Sequence, residues 1–379
     1  MNLAVVTNIL TPYRVPLFQA LHERVERLRV LLMADREENR QWEIPAGSFE
    51  YEVLPGFHVK VPAAEVSVHV NRGVMRALRR IDPDLVLSGG FAPANVAAWA
   101  FCRLRRRAFI GWGELSMQDV AKDSILRRGL RRTMTLWSDG SIASSSEAHD
   151  AFVHYGAPPT RILTSLMPVD VEYFHASARA CRLSNWWRME RSRYAGPILL
   201  SVGRLTERKG YRELFAIYER LVQRRPDLSL LIVGDGPERA RYEDHVRAQG
   251  WQHVRFLGFR HPPELIQYFA LADAFIFHTL FDPFGAVLCE AMACEVPVAS
   301  SIHAAATRDL IDHGVTGWRI DPREAAASAA ALHEILQLGG AQREGLIARA
   351  YAKVKQSDTP ATAGAMVAFM TSMLERAKR

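Results

Sequence analysis

Short, largely apolar runs alternate with amphipathic stretches through nearly the whole chain, and the alternation starts twice. In the first half, Leu3 to Val6, Val30 to Met33, Leu85 to Leu87, Ala108 to Gly111 and Gly140 to Ala143 read as strands, while Val15 to Val25 and Ile125 to Trp137 have helical spacing. Strands that are apolar throughout, rather than on alternate residues, belong to parallel sheets with helices on both faces. A second series runs through Ile198 to Val202, Ser229 to Val233, Val254 to Leu257, Ala274 to Phe277 and Val296 to Ser300. Between the two lies a polar, aromatic and Arg-rich stretch, Ser177 to Ala195. The chain therefore reads as two α/β domains, residues 1–178 and 196–358, with residues 179–195 as the connection. Residues 359–379 carry a helical apolar pattern through Met366, Phe369, Met370 and Met373, and are expected to cross back onto the first domain.

Length agrees with this division, since 379 residues exceed what one hydrophobic core usually supports. Hydrophobic residues make up 49% and charged residues 23%, the balance of a folded, water-soluble chain. No apolar run approaches the ~20 residues of a membrane-spanning helix, and the longest, near Ala94 to Phe101, reads as a buried helix. Met1 to Leu10 has no basic residue before its apolar stretch, so no signal peptide is expected. The expected location is the cytoplasm or the inner face of a membrane. Cys102, Cys181, Cys289 and Cys294 lack the paired spacing of a zinc site or a disulfide scaffold. The net charge of +7 favours anionic partners: phosphates, acidic lipids or nucleic acid.

Three loops of the second half follow predicted strands and precede predicted helices, at the strand ends where open α/β sheets bind ligands. The first runs from Gly203-Arg204 to Lys209-Gly210: glycine admits close backbone approach, and the two cations suit a diphosphate. Alone, it reads more readily as a solvated charged loop opening a helix. The second, Gly234-Asp235-Gly236-Pro237, is a strand-to-helix turn with Pro237 suited to the first helical turn, so a structural role is at least as good a reading as ligand contact. The third runs from Asp282 through Pro283-Phe284-Gly285-Ala286-Val287 to Glu290. A helix beginning near Gly285 would place Asp282 at its mouth and Glu290 inside, with free amides offering a positive end to phosphate. Ionised carboxylates accept several hydrogen bonds and suit sugar hydroxyls. Taken singly, Asp282 as a helix cap and Glu290 in a surface ion pair fit as well.

The ordered set of Gly203-Arg204 to Lys209-Gly210, Gly234-Asp235-Gly236-Pro237, Phe256-Leu257-Gly258-Phe259 and Asp282 to Glu290 resembles the retaining glycosyltransferase family 4. Val169-Asp170 with Tyr173-Phe174 resembles that family's segment leading out of the N-terminal domain. The resemblance implies the GT-B fold, two Rossmann-like domains facing across a central cleft, with a nucleotide diphosphate sugar as donor and no metal or other cofactor. It assigns Arg204 and Lys209 to the diphosphate, Asp282 to the donor sugar, Phe284 and Gly285 to backbone contacts, and Glu290 to the ribose. Gly203, Phe259, Ala286 and Val287 complete the expected donor site, and Arg260 is a candidate base contact. Catalysis would rest on charge stabilisation of the departing diphosphate by Arg204 and Lys209, with Asp282 beside the sugar.

The chain also departs from the family pattern. Asp282 stands where Glu is usual, His278 where Pro is common, Glu295 where Gly is common, and Ala305-Ala306 where a Gly pair is common. In the first half, Thr7-Asn8 and Thr11-Pro12-Tyr13-Arg14 replace a glycine pair, and Glu114 lies where some relatives place a His. Glu114, with Arg14, is therefore the candidate for binding and orienting the acceptor hydroxyl; the competing readings are a helix cap and a surface pair. The implied activity is transfer of a sugar, with retention, to a glycan or lipid-linked acceptor in cell-surface polysaccharide or glycolipid synthesis. A transferase acting on nucleic acid, a nucleotide-sugar epimerase and an inactive relative are the alternatives. Arg103, Arg105, Arg106 and Arg107, and Arg127, Arg128, Arg131 and Arg132, read as solvated helix faces or as attraction to an anionic membrane.

Overall fold

The computed structural model describes residues 1–35, 47–61 and 66–378. The chain forms two compact units, Met1–Pro168 with Thr359–Arg379, and Val169–Asp358. The first unit holds β1 (Asn2–Thr7), β2 (Arg27–Leu32), β3 (Glu50–Val53), β4 (Gly56–Val61), β5 (Val66–Asn71), β6 (Leu85–Gly89), β7 (Ala108–Gly113), β8 (Gly140–Ala143) and β9 (Ile162–Thr164). Seven of these make one sheet in the order β3-β2-β1-β6-β7-β8-β9, parallel throughout, while β4 and β5 pair antiparallel. Strand β1 shows why its sequence is unbroken in apolar character. Leu3 and Val5 enter a core beneath the helix Arg14–His22, and Ala4 and Val6 enter another beneath the helices Val74–Ile81 and Pro93–Arg105.

The second unit holds β10 (Ile198–Val202), β11 (Ser229–Val233), β12 (Val254–Gly258), β13 (Ala274–Phe277), β14 (Val298–Ser301) and β15 (Trp318–Ile320). Their order is β12-β11-β10-β13-β14-β15, again all parallel. In both sheets the order reverses at one place, between β1 and β6 and between β10 and β13. Such a switch point opens a crevice at the strands' carboxyl ends, where open α/β sheets take ligands.

The expected connection at 179–195 is corrected. Residues Ser177 to Ala195 are not a linker: they lie in the helices Val171–Leu183 and Asn185–Arg191 and the turn after them, all within the second unit. Val171, Phe174 and Ala178 form the buried stripe of the first helix, and the Trp187 indole N–H donates to the Ala270 carbonyl at 2.9 Å. Of the arginines in this stretch, Arg179, Arg188 and Arg193 are exposed, while Arg182 and Arg191 pair with Glu295 and Asp273 inside the unit. The chain instead leaves the first unit at Pro168 and returns at Thr359, where Val169 and Asp358 form a parallel bridge. The final helix, Thr359–Lys378, then buries Ala363, Met366, Met370 and Met373 in the first unit's core. Among the described residues no helix is long and apolar enough to cross a membrane.

Candidate functional site

The second unit's switch point is built from the loops after β10 and β13. Lys209, at the end of the first, and Asp282, in the second, meet there with Nζ 2.5 Å from Oδ2, both side chains 15% exposed. The other carboxylate oxygen of Asp282 accepts from the Phe284 amide at 3.1 Å. Asp282 is thus held on both sides and does not cap the following helix. Arg204 is half-buried in the same first loop.

Gly285 opens the helix Ala286–Ala293 with φ 99°, and a Cβ there would sit 2.5 Å from the Phe277 ring, so both conformation and space require glycine. No side chain caps this helix. The first-turn amides of Ala286 and Val287 are left at its positive end, as an anion site requires. One turn further in, Glu290 is half-buried, and its carboxylate makes no hydrogen bond or ion pair among the described residues. Burial pushes its carboxyl up to about 7. A desolvated carboxyl without a partner is costly unless something supplies hydrogen bonds. The surface-pair alternative for Glu290 is therefore not what the structure shows.

The Gly-Asp-Gly-Pro turn is structural. A Cβ on Gly234 would lie 1.9 Å from the Gly203 carbonyl oxygen, and one on Gly236 would lie 2.4 Å from that of Leu205. Backbone bonds from Gly203 to Val233 and from Leu205 to Asp235 extend the β10–β11 pairing into these loops. Pro237 sits in the turn before the helix Arg239–Ala248 rather than in its first turn. Gly203 differs: among the described residues, its chain neighbours aside, the Tyr211 hydroxyl alone comes within 4 Å of a Cβ there, at an ordinary 3.6 Å. A methyl group there would meet no close contact among the described residues.

The structure does not join all the predicted donor residues by contacts of their own. Phe259 and Arg260 follow β12, at the sheet edge. Arg260 bonds Glu264 at 3.4 Å and lies 6.0 Å from the Tyr268 ring, while Phe259 packs edge-on to His261.

The departures from the family pattern are built in. His278 is buried, with Nδ1 3.0 Å from the Gly210 carbonyl oxygen and Nε2 2.7 Å from the Ser201 hydroxyl. A carbonyl only accepts, so Nδ1 carries the proton and Nε2 accepts from Ser201. Burial lowers the imidazole to about 4, and it stays neutral, tying β10 to the loop that presents Lys209. Glu295 takes the left-handed φ of 60° that favours glycine, and its carboxylate is held by His175 at 3.1 Å and Arg182 at 3.0 Å. Ala305 and Ala306 donate backbone bonds to the carbonyls of Asp282 and Phe284, anchoring the Asp282 loop. His303, after β14, pairs with Asp321 at 3.1 Å. Sequence reasoning missed the Ser201–His278 and His303–Asp321 pairs, because neither spacing signals a contact.

In the first unit, Arg14 and Glu114 come together at 2.8 Å at the carboxyl ends of β1 and β7. Arg14 also donates to the hydroxyl of Thr7 at 2.6 Å and to Asn8 at 3.3 Å, and its guanidinium lies 4.8 Å from the Trp112 ring centroid. Both alternative readings fail here. Ser116, not Glu114, caps the next helix, and the Arg14 side chain is only 13% exposed. Anchored through Nη1 to Thr7 and Asn8, Arg14 orients Glu114 through Nη2, and the second carboxylate oxygen of Glu114 has no hydrogen bond within the described residues. Thr7 and Trp112 were not foreseen. Among the described residues no cluster of His, Cys, Asp or Glu could hold a metal ion.

Comparison with known proteins decides what the second unit is. Residues 189–353 match the family model "Glycosyl transferases group 1". The second unit is a group 1 glycosyl transferase domain. The chain is 30% identical over 245 residues to glycogen synthase of Mycobacterium tuberculosis, covering 63% of this chain and 54% of that protein. It is 37% identical over 168 residues to the phosphatidyl-myo-inositol mannosyltransferase of Mycolicibacterium smegmatis, covering 43% and 42%. The chain thus spans about half the length of the curated relatives it matches. The solved structure of Anabaena HepE in complex with UDP superimposes with a TM-score of 0.76 at 18% identity, covering 98% of this chain and 100% of that one. The fold is GT-B, two Rossmann-like domains. The group 1 domain carries Lys209, Asp282 and Glu290, whereas Arg14 and Glu114 lie outside the matched residues.

Proposed function

We propose that this chain is a retaining glycosyltransferase that moves a sugar from a nucleotide diphosphate sugar to a hydroxyl of a glycan or lipid-linked acceptor. The observation that carries the reading is the half-buried, unpartnered Glu290 on the uncapped helix that begins beside the Lys209–Asp282 pair. That set offers a cation and amides to a diphosphate and carboxylates to sugar hydroxyls. The relatives named for glycogen and for phosphatidyl-myo-inositol fit the two acceptor classes. The role we assign is in cell-surface polysaccharide or glycolipid synthesis, which the likeness to a phosphatidyl-myo-inositol mannosyltransferase supports.

In this mechanism the bond from the anomeric carbon to the leaving phosphate breaks. The acceptor oxygen bonds to that carbon from the same face, and its proton passes to the departing phosphate. Arg204 and Lys209 stabilise the charge that develops on the diphosphate, Asp282 fixes the sugar, and Glu290 fixes the ribose. Gly203, Phe284, Gly285, Ala286 and Val287 line the donor; Phe259 and Arg260 contact the base. Glu114, oriented by Arg14, positions the acceptor hydroxyl. No metal takes part, so chelation with EDTA leaves the rate unchanged.

A thermal-shift screen of uridine, guanosine and adenosine diphosphates and their sugar conjugates tests the donor reading. One nucleotide series should raise the unfolding midpoint of the wild type, since ligand at a hundredfold its Kd stabilises the folded state by ~2.7 kcal/mol. No response to any of them would sink the proposal. Glu114→Gln should slow transfer while leaving donor affinity intact, and an inverted product by NMR would remove the retaining step.

A further inference from the structure

The helix Ile125–Leu136 is amphipathic in the wrong direction. Its inward side is Met134 and Thr135, both buried, and Arg131, whose guanidinium pairs with Asp123 at 3.2 Å and lies 5.4 Å from the Phe91 ring. At 3.6 residues per turn, Ile125, Gly129 and Leu136 fall on the opposite stripe, with Leu126 and Thr133 beside them. From Ser124 to Thr133 every residue except Arg131 is exposed, Ile125 at 89% and Leu126 at 87%. Helices of folded domains turn their apolar stripe inward. An outward apolar stripe marks a surface that something covers.

Charge indicates what covers it. Arg132 and Arg128 lie along one edge of the stripe, Arg127 falls one turn before Arg131 on the inward side, and none of the three makes an ion pair among the described residues, while the nearby carboxylate, Asp123, is taken by Arg131 and the Tyr155 hydroxyl. At the helix's far end, exposed Trp137 stacks against Arg103, whose guanidinium lies 5.1 Å from the ring centroid. The neighbouring helix Pro93–Arg105 adds exposed Leu104. Leucine, isoleucine and tryptophan facing outward among unpaired arginines is the composition of helices that lie in a membrane interface. We propose that this face docks on an anionic lipid bilayer, with Ile125 and Leu126 entering the headgroup region and Arg128 and Arg132 against lipid phosphates. The inference is independent of the donor reading, because the helix belongs to the first unit and lipid binding is measured without transfer.

Flotation of the full chain with vesicles tests it. Wild type should bind vesicles of mixed phosphatidylcholine and phosphatidylglycerol, bind phosphatidylcholine vesicles weakly, and release from the mixed ones as salt rises. Ile125→Asp with Leu126→Asp should lower partitioning at least ~10-fold through lost apolar burial. Replacing Arg128 and Arg132 with glutamine should lower it ~25-fold at low salt, each cation contributing ~5-fold. Both variants should keep the wild-type unfolding midpoint, since the replaced side chains are exposed. The proposal is overturned if wild type ignores the mixed vesicles or if the aspartate pair binds them as wild type does. It is equally overturned if gel filtration shows a dimer that the aspartate pair dissociates, since a second copy would then cover the stripe.

Discussion

Replacing Glu290 with glutamine should make the protein more stable and a worse binder of its donor. The side chain lies in the second turn of Ala286–Ala293, and burial alone pushes its carboxyl from 4.5 to about 7. The folded state thus holds this proton more tightly than the unfolded state. Below about pH 4.5 both states keep it and the penalty is absent. Between 4.5 and 7 the unfolded chain releases it first, so this group lowers stability as pH rises, and above 7 the penalty is complete. The shift corresponds to a penalty on the order of 3 kcal/mol. Urea unfolding of wild type and Glu290→Gln should therefore coincide near pH 4.5 and separate by up to ~3 kcal/mol at pH 8, with the variant ahead. The donor acts in the opposite sense. Its hydroxyls donate to an ionised carboxylate, so wild-type affinity by calorimetry should rise from pH 6 to pH 8, and the variant should bind at least ~10-fold more weakly at pH 8. Equal stability of the two proteins at pH 8, or a variant that binds as well as wild type, would refute the view that Glu290 is left unpaired for a ligand.

Three further outcomes follow from the same geometry. Lys209→Met should cut kcat/KM by ~100- to 1,000-fold, the usual cost of losing one donor to a developing oxyanion; a loss under fivefold in steady-state kinetics would place the charge stabilisation elsewhere. Gly203→Ala should leave the unfolding midpoint unchanged and weaken nucleotide binding, whereas Gly234→Ala, with a Cβ 1.9 Å from the Gly203 carbonyl, should destabilise by more than ~2 kcal/mol; the reverse ranking would contradict the division between ligand space and loop packing. Glu295→Ala should destabilise more than Glu295→Gly in thermal unfolding, because both lose the His175 and Arg182 contacts but only alanine keeps the ~1 kcal/mol cost of a left-handed residue.

The sequence by itself determined the two parallel sheets and the loops that matter. Strands such as Leu3 to Val6 and Leu230 to Val233 are apolar without a break because each is covered by helices on both faces, and that demand is written residue by residue. The polar β3 lies at the edge of the first sheet, where the pattern is weak, and was not legible; β4 and β5 do alternate, through Phe57, Val59, Val61 and Val66, Val68, Val70, but a reading built on unbroken apolar runs passes over them, as it does the helical nature of Ser177 to Ala195, whose buried stripe is narrow. The motif from Asp282 to Glu290 could be read as a loop entering a helix, but not that Glu290 would be left without a partner. Tertiary structure decided that, together with the meetings that make the site: Lys209 with Asp282, Arg14 with Glu114, Ser201 with His278. Periodicity reports whether a residue is buried and says nothing about strand order. Only the order β12-β11-β10-β13-β14-β15 places the β10 and β13 loops side by side, and only the packed core selects that order.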